Sequence, residues 1–256
     1  MVTDYSRLAK VEIAADGEGL VSRSGTALIA ELADRLELTS ALSSALADTR
    51  ERAGGHDPGR VLADLALTLC DGGGCLADLG ALRGQAELFG CVASNATAWR
   101  AIERATGRLD DLRSARARAR AVAWARGGAP EQIVLDFDSR LVSSHSDKEG
   151  ATPTWKRGFG IHPLLCHLDE TGEALAGLLC ERGAGANTAA DHVEVLGLAL
   201  DQLPAEALGR PLLARSDSAG GNARVRCCAS RDGHPLLAGL CAHRGRLEPG
   251  ARPGSL

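Results

Sequence analysis

Ile133-Val134-Leu135-Asp136-Phe137-Asp138-Ser139 is an alternating run, and Pro211-Leu212-Leu213-Ala214-Arg215-Ser216-Asp217 is a second apolar run that also ends on an acid. In the first, Ile133, Leu135 and Phe137 take one face of a strand, and Asp136 and Asp138 take the other. One face packs, and the other is open to a ligand. Carboxylates presented at neighbouring strand ends suit a hard divalent cation, although aspartates also end strands and begin turns for purely local reasons. Between the two runs, residues 159–168 and 173–181 are apolar segments joined by the turn cluster Asp169-Glu170-Thr171-Gly172, which predicts a hairpin. Thr188-Ala189-Ala190-Asp191 then fits a capping box. Ala190, Val193, Leu196 and Leu200 follow at helical spacing, and Pro204 closes the segment. The order is strand, hairpin of two strands, helix, strand.

Around this frame stand several longer phrases. They are Val134-Leu135-Asp136-Phe137-Asp138-Ser139, His145-Ser146-Asp147-Lys148-Glu149-Gly150 and Phe159-Gly160-Ile161-His162-Pro163-Leu164-Leu165. Asn187-Thr188-Ala189-Ala190-Asp191-His192 and Arg215-Ser216-Asp217-Ser218-Ala219-Gly220 complete the set. Nearer the start lie Gly55-His56-Asp57-Pro58-Gly59-Arg60 and Ala93-Ser94-Asn95-Ala96-Thr97-Ala98-Trp99-Arg100. Together they resemble the bacterial insertion-sequence transposases of the IS-thirteen-eighty group. The resemblance implies an α/β (α+β) protein, with a helical N-terminal domain followed by an incomplete ribonuclease-H-like β-β-β-α-β catalytic domain. It also implies DDE chemistry, in which two aspartates and a later glutamate bind Mg2+ in a two-metal arrangement for DNA strand cleavage and transfer. Carried over, Asp138 is the first acid and Asp217 the second, with Asp136 as the backup metal ligand. Arg140 stands where the family usually has Thr. The implied partner is DNA bearing the transposon's terminal inverted repeats, and a homo-oligomer is a further expectation.

Composition bounds the alternatives. The chain has 256 residues, with 29 Lys and Arg against 33 Asp and Glu, a net charge of −4, so it lacks the basic character of a simple DNA-coating protein. Any affinity for DNA has to come from local patches. Aromatic residues are only 3% of the chain, so the core is expected to rest on Leu, Ala and Val. No apolar run reaches about 18 residues and no secretory leader opens the chain, which predicts a cytoplasmic protein without a membrane span. The eight cysteines show no framework spacing and are expected to be free thiols.

Residues 1–20 are mixed polar and expected to fray, and residues 21–126 are expected to form a helical domain that is a candidate for DNA binding. Ser24 caps a helix with Leu28, Leu32 and Leu36 as its stripe, and Leu42 and Leu46 mark a second. Asp57-Pro58 starts a third, with Val61, Leu62, Leu65 and Leu69 on its inner face, until Asp71-Gly72-Gly73-Gly74 stops it. Further helices carry Leu76, Leu79 and Leu82, then Trp99 and Ile102 after Ser94. Leu88-Phe89-Gly90 lies between short segments of helix-turn-helix size, a pattern many helical bundles share. Residues 108–126 are rich in arginine. Arg113, Arg116, Arg118 and Arg120, with Lys148 further on, are candidate DNA contacts; a solvated linker helix explains the same arginines. Gly127-Gly128-Ala129-Pro130 breaks the helix and is read as a linker, which leaves residues 131–221 as the partial catalytic domain.

His145, Asp147, Lys148 and Glu149 form a polar loop that either meets DNA or is simply solvated. Apart from the resemblance, His162 reads as a strand histidine and His192 as an exposed first-turn residue. Gly183-Ala184-Gly185-Ala186-Asn187-Thr188 lacks the third glycine of a dinucleotide fingerprint. Cys227, Cys228, His234, Cys241 and His243 make no zinc-knuckle pair. Only Glu248 follows Asp217, and Pro249 after it disfavours helix there. The expectation is therefore a transposase fragment, inactive for want of a third acid; the alternative is a non-catalytic DNA-binding or regulatory fragment that pairs with an intact transposase. Residues 222–256 hold six arginines against one aspartate and one glutamate. They are read as a non-native or disordered tail after a frameshift at Gly221, leaving an unpaired sheet edge.

Overall fold

The structure is a computed structural model that describes residues 23–139, 141–143, 151–153, 159–179, 188–216 and 236–238, with the backbone alone at 152 and 236–238. The chain divides into two compact units, residues 1–129 and 130–256.

Every described element of the first unit is helical: α1 (Ser24–Arg35), α2 (Leu38–Ala45), α3 (Pro58–Cys70), α4 (Leu79–Arg83), α5 (Ala86–Phe89), α6 (Asn95–Ala105) and α7 (Leu109–Ala123), with short 3-10 turns between some of them. Local chemistry sets their ends. Asp57, in extended backbone, accepts the Arg60 N–H at 3.0 Å while Pro58 fills the first helical position of α3. Gly72, at φ 91°, turns the chain out of that helix in a conformation that costs glycine little. Ser94 Oγ accepts the Thr97 N–H to start α6. The core joins Val61, Leu79, Leu82, Phe89 and Ala98, all at most 2% exposed.

Helices α1 and α6 turn a different face inward from the one the sequence spacing predicts, whereas α3 keeps Val61 and Leu65 of its predicted face against the core and departs from it only toward its end. On α1, Leu28 and Leu32 are about half exposed, whereas Ala27 and Ala30 are buried. On α3, Leu67 is buried and Leu69 is exposed; on α6, Ala98, Ala101 and Ala105 are buried while Trp99 is exposed. Ser24 is also the first helical residue rather than the cap, a place taken by Arg23 at φ 68°. One close approach between helix backbones is seen at α2 and α3. A Cβ on Gly59 would stand 2.1 Å from Ser43 N and 2.3 Å from the Leu42 carbonyl carbon, so α2 and α3 touch there backbone to backbone. Packing that tight selects small residues at the contact and leaves longer side chains outside.

In the second unit the described elements run β1 (Ile133–Ser139), β2 (Val142–Ser143), β3 (Thr152–Pro153), β4 (Phe159–Ile161), β5 (Leu164–Leu168), β6 (Glu173–Leu178), α8 (Ala189–Leu200), α9 (Ala205–Leu208), β7 (Leu212–Ser216) and β8 (Leu236–Ala238). The main sheet has the order β6-β5-β1-β7-β8. Strand β1 pairs antiparallel with β5 and parallel with β7, the arrangement that the ribonuclease-H-like resemblance implies. The β5–β6 hairpin closes on Gly172, at φ 68°, whose N–H reaches the Leu168 carbonyl at 2.8 Å. The Thr188–Asp191 capping box forms reciprocally: Thr188 Oγ1 accepts the Asp191 N–H and Asp191 Oδ2 accepts the Thr188 N–H.

Three expectations change. The apolar run 159–168 is two strands, because Pro163 has no N–H to give a ladder: β4 joins a small sheet of order β2-β4-β3, and only β5 enters the main sheet. Helix α8 buries His192, Val195, Leu196 and Ala199, a stripe rotated from the one read off the sequence. Finally, the sheet edge beyond β7 is not bare over its whole length, since β8 pairs with it in parallel, Leu212 opposite Leu236.

Gly59→Ala is expected to destabilise the protein by about 2–3 kcal/mol through overpacking against the α2 backbone. Gly54→Ala, with nothing within 4 Å of the new Cβ, should shift stability by about 0.5 kcal/mol or less. Urea midpoints at constant slope measure both.

Candidate active site

Strand β1 sorts its side chains as the alternation predicts. Ile133, Leu135 and Phe137 are buried, Val134 and Asp136 are half-buried, and Asp138 is exposed. Asp136 lies in register between His167 of β5 and Arg215 of β7, and Asp138 lies opposite Leu165. Asp138 Oδ1 accepts the N–H of Ser139 at 2.9 Å. Behind the strand, the Phe137 ring meets the His192 ring of α8 with centroids 6.2 Å apart. His192 is 4% exposed and its Nδ1 lies 2.8 Å from the Thr188 carbonyl oxygen, so it is a packed, hydrogen-bonded core residue and not the exposed first-turn residue read from the sequence. His162, by contrast, has a buried Nδ1 with no hydrogen-bond partner among the described residues.

Arg215 bridges two carboxylates, 3.1 Å from Asp136 Oδ2 and 2.7 Å from Asp169 Oδ1. Burial works against its charge, but the hydrogen bond it donates to Asp169 and the charges of both carboxylates outweigh that and raise its pKa. The sequence gives no sign of this bridge. Asp169 reads there only as a turn residue, and it reaches Arg215 because β5 and β7 flank the same strand. On the β5 side, burial first and the charge of Asp136 second push the Cys166 thiol up to about 12.

Asp217 directly follows Ser216 in the sequence and lies outside the described residues. So do Arg140, the loop of His145, Asp147, Lys148 and Glu149, the glycine segment 183–187, and Cys227, Cys228, His234, Cys241 and His243. Among the described residues, no group of three or more His, Cys, Asp or Glu side chains is gathered to hold a metal ion. On α7, Arg113 pairs with Asp110 at 2.8 Å and Arg118 with Glu37 at 2.6 Å; Arg116 is half-buried. Arg120 is 4% exposed, which corrects its place among the phosphate-tracking residues: it shares the inner face of the helix with Ala115 and Ala119.

Comparison with known proteins identifies the family to which this frame belongs. Residues 4–244 match the family described as transposase DDE domain group 1, and the chain belongs to that family. The match runs on past Gly221. Among solved structures, a piggyBac transposase synaptic complex with hairpin DNA is similar at 11% identity and a TM-score of 0.42, over 86% of this chain and 52% of that one. The Mos1 mariner paired-end complex with Mn is similar at 16% identity and a TM-score of 0.30, over 87% and 69%. The chain thus spans about half the length of the piggyBac chain. No curated protein matches it. No helix among the described residues is long and apolar enough to cross a membrane.

With its thiol near 12, Cys166 holds roughly one part in ten thousand as thiolate at about pH 8. Iodoacetamide on the folded protein is expected to label the exposed Cys70, Cys75 and Cys91 and to spare Cys166 until denaturant is added. Peptide mass mapping checks this.

Proposed function

We propose that the chain is a metal-dependent DNA transposase of the IS-thirteen-eighty group, with Asp138 and Asp217 as its paired carboxylates. One observation carries the reading. Phe137 of β1 pairs with Ser216 of the parallel strand β7, and Asp138 and Asp217 are the next residues of the two segments. A continuation of that register by one residue would bring the two acids side by side, and this is the proposal.

The donor chemistry fits magnesium. Both groups offer hard carboxylate oxygens, and Asp138 is exposed on the open face. Asp136 fits less well, because Arg215 already engages it. When bound, magnesium would activate an attacking oxygen and stabilise a leaving one at a phosphodiester. The chain's own residues hold the site in place: Phe137 and His192 pack behind the strand, and Arg215 engages both Asp136 and Asp169 and offsets one of their two charges. The substrate of this reading is duplex DNA carrying terminal inverted repeats. Within these 256 residues the only glutamate after Asp217 is Glu248, followed by Pro249. Proline disfavours helix at the residue before it, and this supports reading the chain as a transposase fragment that binds DNA without cutting it, or pairs with an intact copy.

Titration with Mn2+, followed by electron paramagnetic resonance, tests the acid pair. Asp138→Asn should weaken binding by about tenfold or more, and Asp136→Asn much less. Equal losses, or none, would remove the assignment. Incubation of labelled duplex with the protein and Mg2+ or Mn2+ is expected to give no cleavage or joining; strand transfer abolished by Asp138→Ala would overturn the inactive reading and keep the acid.

A further inference from the structure

The helical unit contains a cleft of about 80 Å³ between the loop that precedes α3 and one face of α6. Arg50, Arg52, His56, Arg100 and Arg104 line it, with Glu51 as the one acid. Four guanidinium groups against one carboxylate give a local charge of 4 − 1 = +3, set in a chain whose net charge is −4. Thr97, Arg100, Ala101 and Arg104 fall at i, i+3, i+4 and i+7, so one face of α6 supplies its side of the cleft. The other side carries Pro58, the first residue of α3, whose N-terminal end is capped by the Asp57 carboxylate.

The arginines are arranged rather than scattered. Arg104 pairs with Glu51, Arg50 donates to the Gly55 carbonyl oxygen, and Arg100 donates to Thr97 Oγ1 at 3.3 Å. These contacts hold three guanidinium groups around the cleft but neutralise only one of them. Arg52 is exposed at the rim. A site with this excess of planar, forked donors suits an oxyanion that can take several N–H groups at once.

We infer that this cleft is a phosphate-binding site of the helical unit that seats a backbone phosphate of duplex DNA. The choice of DNA over a free phosphate rests on the transposase reading above; the anion chemistry does not. It also assigns work to two sequence phrases, since Gly55-His56 and Thr97 to Arg100 bring their residues to the same cleft from segments about 40 positions apart.

The test uses the full chain, a fluorescein-labelled duplex and, separately, inorganic phosphate. Arg52→Ala combined with Arg100→Ala removes two donors that hold no other element in place. DNA affinity should fall by about tenfold, and the slope of log affinity against log salt should shrink by about 1, at about 0.9 per neutralised phosphate. The Lys pair at the same positions should restore most of the slope, and Arg35→Ala, whose side chain pairs with Glu31 on α1, should leave both unchanged. Thermal melts confirm that each variant is folded. If the wild type binds DNA and the double variant matches it in affinity and slope, the cleft inference is overturned and the transposase reading stands. If calorimetry shows phosphate bound by the wild type, lost in the double variant, while neither binds DNA, the anion site stands and its assignment to DNA is overturned. Binding of neither probe overturns the inference altogether.

Discussion

Strand β1 is hydrogen-bonded along both edges, antiparallel to β5 and parallel to β7, and that double pairing is the constraint on which the second unit depends. A strand so placed cannot slip. A shift of one residue would bring Asp136 and Asp138 onto the apolar side and expel Leu135 and Phe137, at the cost of burying two carboxylates. Pairing with β5 fixes where the hairpin turns, and pairing with β7 fixes which residues follow one another toward the open end. Helix α8 then needs only to cover the apolar face, which it does with His192 against Phe137.

Charge is managed differently in the two units. Beside β1, one arginine holds two aspartates, and this leaves Asp138 as the exposed acid of the strand. Such a bridge is partly solvated and adds little to stability, on the order of 1 kcal/mol or less. Its consequence is a division of labour between two carboxylates that the sequence presents as equals. In the helical unit, several arginines of the basic segment are spent on neighbouring acids, Arg108 with Asp48, Arg113 with Asp110 and Arg118 with Glu37. The excess of positive charge collects instead around the cleft between α6 and the loop before α3.

The phrase Gly55 to Arg60 separates into parts with distinct physical work. Asp57 caps α3, Pro58 starts it, Gly59 admits the α2 backbone, and Arg60 reaches across to the Phe89 carbonyl at 2.9 Å. In the second phrase, Ser94 caps α6 and Ala98 is buried, while Arg83 ties down the stretch through the Ala93 carbonyl and Asn95. Much of each motif is therefore architecture, and the functional residues are those left pointing at the cleft.

The sequence by itself determined the features that depend on near neighbours. The alternation of β1, the turn at Asp169 to Gly172, the capping box at Thr188 and Asp191, and the Asp57-Pro58 start of α3 rest on contacts a few residues apart, and each was legible. Which face a helix buries was not, because that depends on the elements packed against it from elsewhere in the chain; alanines are buried on α1 and α6 where leucine and tryptophan spacing pointed elsewhere. Pro163 announced a break whose effect, two strands in two sheets, required knowing what each half pairs with. The bridge from Arg215 to Asp136 and Asp169, the burial of Arg120, and the meeting of Arg52 with Arg100 join residues far apart in the chain. Only the tertiary structure could decide them, since long-range pairing and packing are set by the whole sheet or bundle and not by any local spacing.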